Sequence, residues 1–256
     1  MGPLIAKSTT KCAHSFPTLR LMNSPRGKQQ IREALAQVEV LRLQSRSSPA
    51  VLRALSLVKA YQCRRFEATY QDLLASDTYG PACRFFLDEL YSPKDFSQRD
   101  AEFSKIAGAV ERLFPRSIVD IAVALADLHA ITEELDAAMA ASISSNLDCA
   151  LVDSRLDDSL YQQTWRDVGR TRDRKSQLER VIQLGSKLGK VTRLPGIKLT
   201  LRAMRRPAAA ANLSTLQQFL EEGFETFANM AREQYALENF LEIIKKRESE
   251  WMNQLN

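Results

Sequence analysis

After residue 27 the chain places apolar side chains at helical spacing almost without pause, and prolines and polar turns decide where each run stops. Ile31, Leu35, Val38 and Leu41 step by four, three and three. Ser48 caps the next segment and Pro49 opens it; Leu55, Val58, Phe66, Tyr70 and Leu73 then form a long stripe with Gln62 as its one polar gap. Pro81 opens and Pro93 closes a short helix. Ser97 and Asp100 give an S-x-x-D start of capping-box type ahead of Phe103, Ile106, Val110 and Leu113, and Pro115 ends that run. Ile118, Ile121, Leu125, Leu128, Leu135 and Met139 follow among many alanines, which predicts a wide apolar face.

A segment with Trp165, Val168, Leu178, Ile182 and Leu188 comes next, its middle from Gly169 to Lys175 polar on every side and therefore expected to stay out of the core. Ile197, Leu199 and Leu201 alternate as a strand would, but Ile197, Leu201 and Met204 fit a helix, and no partner strand is in sight. A last long pattern from Pro207 carries Leu213, Leu216, Leu220, Phe224, Phe227, Leu237, Leu241 and Ile244. The expected fold is all-α, an irregular multi-helix bundle of eight or nine helices. With 45% hydrophobic residues in 256, there is ample material for its core.

Residues 1–27 read as a disordered or weakly ordered tail, and 28–256 as a single helical domain with a hinge at 142–158. The first 32 residues contain no Asp or Glu, a bias shared with transit peptides, but they lack an amphipathic period. Met1-Gly2 is followed by Ala6 where a myristoylation signal wants Ser or Thr, and Met22 is an alternative start. The longest apolar run, Ile118 to Ala126, is broken by Asp120 and falls short of the ~20 residues of a spanning helix. Cys12, Cys63, Cys83 and Cys149 stand far apart without a C-x-x-C pair, as in a cytoplasmic protein with reduced thiols.

The net charge of +5 hides alternating blocks. Residues 1–65 carry 12 basic and 2 acidic side chains, 66–162 carry 7 and 18, 163–206 carry 13 and 3, and 207–256 carry 4 and 8. Blocks of opposite sign are expected to fold against one another.

The short helix between Pro81 and Pro93 carries Phe85-Phe86-Leu87-Asp88-Glu89-Leu90-Tyr91. Phe86 and Leu90 share one face, Leu87 and Tyr91 the next, so this structural motif belongs near the centre of a core. The heptapeptide resembles the signature of a family of uncharacterised bacterial proteins known by its FFLEELY motif, with Asp88 in place of the first Glu. The resemblance extends through Pro93, Asp95, Phe96, Arg99 and Asp100, and more loosely from about residue 50 onward. It implies a bacterial helical domain and carries over no site residue, activity or cofactor.

His129 is the only histidine outside the tail, and Glu133 lies one turn on as its expected partner. No second core histidine or Glu-x-x-His pair is present, so no metal is indicated. Gly185-Ser186-Lys187-Leu188-Gly189-Lys190 fails the phosphate-loop spacing, Leu184 and Val191 standing where Gly and a hydroxyl are needed; its glycines instead suit a close helix contact. Adjacent carboxylates such as Glu133-Glu134 diverge on a helix by roughly 100°, which suits solvated faces and caps. Arg166, Arg170 and Arg174 are four apart, so with Lys175 they are the anion-binding candidates, on one helix face.

With no converging acid, base, nucleophile or metal set, no catalytic residue and no cofactor are indicated. The first expectation is a non-catalytic interaction or regulatory protein, partnered by another protein or by itself. A nucleic-acid or polyanion binder using the basic segment 163–206 is the first alternative, although no recognised module accompanies the charge. An enzyme or sensor holding a ligand between helices, with His129 and Trp165, is the second.

Overall fold

The computed structural model describes residues 27–89, 92–146 and 156–255, and every regular element among them is helical. In chain order these are α1 (Gly27–Arg46), α2 (Pro49–Thr69), α3 (Gln71–Leu74), α4 (Gly80–Glu89), α5 (Ser97–Leu113), α6 (Arg116–Asn146), α7 (Asp158–Val168), α8 (Thr171–Thr192), α9 (Ile197–Ala203), α10 (Arg205–Ala210), α11 (Ser214–Met230) and α12 (Ala236–Leu255). Apart from the single turn α3, that makes eleven helices among the described residues, more than the eight or nine expected.

The excess arises where an apolar period runs through a backbone reversal. Gly169 and Arg170 both have positive φ and split α7 from α8; Asn212 and Tyr235, also at positive φ, separate α10, α11 and α12 within what reads as one long pattern. Hydrophobic spacing has no way to register such a break, because the next helix resumes a similar stripe. Ser48 accepts the Val51 N–H and Pro49 opens α2; Asp157 caps α7 through the Leu160 N–H at 2.8 Å. The expected capping box at α5 is not formed. Asp95 takes the Ser97 N–H at 2.9 Å, and Asp100 is buried in the interior.

At 1.5 Å per residue the 31-residue α6 is about 46 Å long, and it packs against α1, α2, α5, α7 and α8. Three apolar cores gather around it and its neighbours. One joins Phe66, Tyr70, Cys83, Phe86, Phe227, Phe240 and Ile244. Another joins Val58, Tyr61, Met139, Ile143, Tyr161, Trp165 and Met252, and the third joins Ile31, Val38, Phe103, Ala126, Leu216 and Phe219. Phe86 thus takes the central place expected of it, while Leu90 and Tyr91 lie outside the described residues, as do Cys12, His14, Met22 and Cys149.

Gly185 and Gly189 let α8 approach α12. A Cβ at Gly189 would stand 2.0 Å from Leu237 Cδ2, and one at Gly185 2.6 Å from Leu241 Cδ2. The basic and acidic blocks do meet: Arg170, at the start of α8, pairs with Glu134 of α6 and Arg180 of α8 with Asp127 of α6, while Arg202 and Lys198 reach Glu225 and Arg205 reaches Glu221.

Candidate ligand cavity

The three apolar cores do not close on one another completely. Where they meet there is a partly open cavity of about 130 Å³, bordered by residues of all three, among them Phe86, Phe103, Phe219, Trp165 and Met252. Helical spacing explains how the wall is built. Leu125, His129, Thr132 and Asp136 follow one face of α6; Gln62 and Phe66 follow one face of α2, with Tyr70 at its C-cap; Arg174, Leu178 and Val181 do the same on α8. Gln62, the polar gap in its stripe, is therefore a wall residue.

Most polar wall groups are matched. Arg65 makes a bidentate pair with Glu248, both bonds at 3.0 Å, and the Tyr70 hydroxyl donates to the same carboxylate at 2.8 Å. Arg99 donates to the Glu89 carbonyl at 3.1 Å and lies 3.5 Å from Asp100 Oδ1, its guanidinium against Phe96 and Phe219. Asp100 Oδ2 meets His129 Nε2 at 2.8 Å and accepts from Arg42. Gln177 donates to the Thr132 hydroxyl at 2.8 Å, and Thr132 donates on to the Leu128 carbonyl.

Two expectations are corrected by this arrangement. The partner of His129 is Asp100, one helix away, because Glu133 is taken by Lys59 from α2 at 2.6 Å. Glu133 is also buried, so the adjacent pair Glu133-Glu134 is not a solvated face; only Glu134, half exposed, turns outward to Arg170 and Gln37.

At the other end Asp136 and Arg174 occupy the wall together. Gln62 donates to Asp136 Oδ1 at 2.7 Å and stands 3.4 Å from the Tyr161 hydroxyl. Burial pushes the Asp136 carboxyl up to about 6, with Glu133 adding to the rise and Lys59, Gln62 and Arg174 opposing it. The Arg174 guanidinium lies 3.5 Å from the centre of the Trp165 ring, and Trp165 in turn meets Trp251 edge-on. Burial pulls Arg174 below its ordinary range, with Tyr161 and Asp136 acting against the fall.

The four anion-binding candidates are not one helix face. Arg166 is on α7, Arg170 sits in the break at φ +60°, and Arg174 and Lys175 are on α8. Arg166 and Lys175 are exposed and Arg170 is engaged by Asp173 and Glu134, but Arg174 is buried against Trp165, which corrects the expectation that this polar stretch stays out of the core. A run of arginines spaced by four cannot by itself announce that the helix breaks inside it. Among the described residues, no group of three or more His, Cys, Asp or Glu side chains could hold a metal, and no helix is long and apolar enough to cross a membrane.

The family model of a domain of unknown function, DUF8198, matches residues 41–256, and the chain belongs to that family. Neither the curated proteins nor the solved structures give a match.

Proposed function

We propose, for a chain whose family supplies no activity to inherit, that it is a non-catalytic regulatory protein of the sensor kind, which binds a small organic molecule in the cavity where the three cores meet. The observation that carries this reading is the cavity itself: about 130 Å³ at the junction of three cores, walled by aromatic rings and by polar groups most of which are matched. Such a lining is what small-molecule sites share, and packed helical cores rarely leave voids of that size. Both residues singled out for a ligand between helices, His129 and Trp165, are on its wall.

A nucleic-acid or polyanion role for segment 163–206 draws less support. Arg170, Arg180, Lys198, Arg202 and Arg205 all face carboxylates of the same chain, which lowers the field they present outward. The reading also takes the chain to be bacterial and cytoplasmic, supported by the resemblance of the motif from Phe85 to Tyr91 and by the widely spaced cysteines.

Native mass spectrometry of the full chain, purified gently from its host, tests the reading. A small-molecule adduct is expected, and Leu178→Trp, which fills the cavity from α8, should abolish it. A bare chain from both would remove the ligand-binding function.

A further inference from the structure

Resting on that ligand-binding reading, we propose that the cavity takes a carboxylic acid as its monoanion, no larger than about one aromatic ring, with the carboxylate held by Arg174 and the Trp165 indole N–H. Arg174 is 4% exposed and Trp165 5%, both on the cavity wall. Among the described residues, Arg174 Nε and Nη2 and Trp165 Nε1 meet no hydrogen-bond partner. Those are donors and nothing else, since neither side chain can accept. A buried donor left unmet is costly, and a charged one more so, so their natural complement is an acceptor carrying negative charge. One carboxylate offers about four lone-pair sites and fits a guanidinium edge-on with two bonds.

Charge selects a single negative charge. Of the arginines on the wall, Arg65 is matched by Glu248 and Arg99 by Glu89 and Asp100, which leaves Arg174. Asp136 is the carboxylate nearest to balancing it, but its hydrogen bond comes from Gln62. A dianion such as phosphate would bring a second charge with no second unmatched cation, beside Asp136. A monoanion is offset by Arg174 alone when Asp136 is protonated, a form that burial favours below about pH 6. Size sets the body of the ligand: the cavity's 130 Å³ compares with a cavity of roughly 150 Å³ that accepts benzene.

The test uses the full chain, following tryptophan fluorescence and titration heat with four probes: benzoate, hexanoate, benzamide and inorganic phosphate. Benzoate or hexanoate should bind at least tenfold tighter than benzamide and phosphate, and Arg174→Met should weaken the acid at least tenfold while leaving benzamide unchanged. Where Arg174→Met does not fold, Trp165→Phe serves, since it keeps a ring under the guanidinium and removes the indole N–H; a severalfold loss for the acid alone is expected. Equal binding of benzoate and benzamide, or an Arg174 or Trp165 variant that holds the acid as tightly as the parent, overturns the carboxylate assignment while the cavity remains a ligand site. Failure of all four probes also overturns it, and the native adduct then decides separately whether the cavity binds anything.

Discussion

His129 Nε2 stands 2.8 Å from Asp100 Oδ2, tying the middle of α6 to the first turn of α5. Arg42 brings α1 to the same oxygen, and Arg99 flanks the other. One buried carboxylate thus joins three helices at the edge of the cavity. Burial alone would raise its pKa; the His129 contact, Arg42 and Arg99 outweigh that and hold it at about 2.

From this junction follows a loss of stability in acid. A carboxyl depressed from 3.8 to about 2 contributes stability that is fully present above the unfolded value and disappears as pH falls through the folded one. The amount is about 2 kcal/mol, lost between roughly pH 4 and pH 2. Asp100→Asn should lack that acid transition and be less stable at pH 7 by roughly 3–5 kcal/mol, because Arg42 and Arg99 lose their carboxylate. Urea unfolding at a series of pH values checks it; parallel curves for parent and variant below pH 4 would contradict the arrangement.

Phe86 is 8% exposed, with Phe66 and Phe240 at centroid distances of 6.4 and 6.1 Å. Phe86→Ala should cost roughly 3–5 kcal/mol, as the lost transfer energy and the enlarged void add together. Chemical denaturation gives the value. A cost under about 1 kcal/mol would mean that the ring is exposed in solution and meets a partner.

How much of this was legible in the sequence divides along one physical line. Period, caps and prolines are local, so α1, α2 and α6, the cap at Ser48 and the core position of Phe86 can be read directly. Partner choice is not local. Asp100 has the spacing of a cap and is instead recruited by Arg42 and His129, 58 and 29 residues away; Glu133 has the spacing of a partner for His129 and pairs with Lys59, 74 residues away. Arg174 reads as one of a charged row because the spacing by four runs straight through the turn at Gly169 and Arg170; the one local sign of that turn is the glycine itself. Gln62 alone left a mark, as one polar residue inside an apolar stripe.

Gly189 makes a prediction opposite to helix propensity. Alanine is worth about 1 kcal/mol more than glycine in a helix interior, yet its Cβ here would overlap Leu237. Overpacking of roughly 1–3 kcal/mol should win, so Gly189→Ala is expected to lower the melting temperature. Adding Leu237→Ala should relieve the clash, giving a double-mutant coupling on the order of 1 kcal/mol. Strict additivity of the two changes would show that α8 and α12 do not meet at this point.

Asp136 should behave oppositely to Asp100. Its folded pKa is raised from 3.8 to about 6, so between those values the folded chain holds a proton that the unfolded chain has released. Stability then falls as pH rises through the window, by about 3 kcal/mol, and the loss is complete above the folded value. Asp136→Asn keeps an oxygen for the Gln62 donor and removes the titration, so its stability relative to the parent should climb by that amount from about pH 4 to pH 7. The groups facing the carboxyl are Lys59 and Cys63 from α2, Glu133 on its own helix, Tyr161 from α7 and Arg174 from α8. Thermal unfolding of the two proteins from pH 4 to pH 7 reads the difference directly, and a flat difference would place Asp136 in water rather than on the cavity wall.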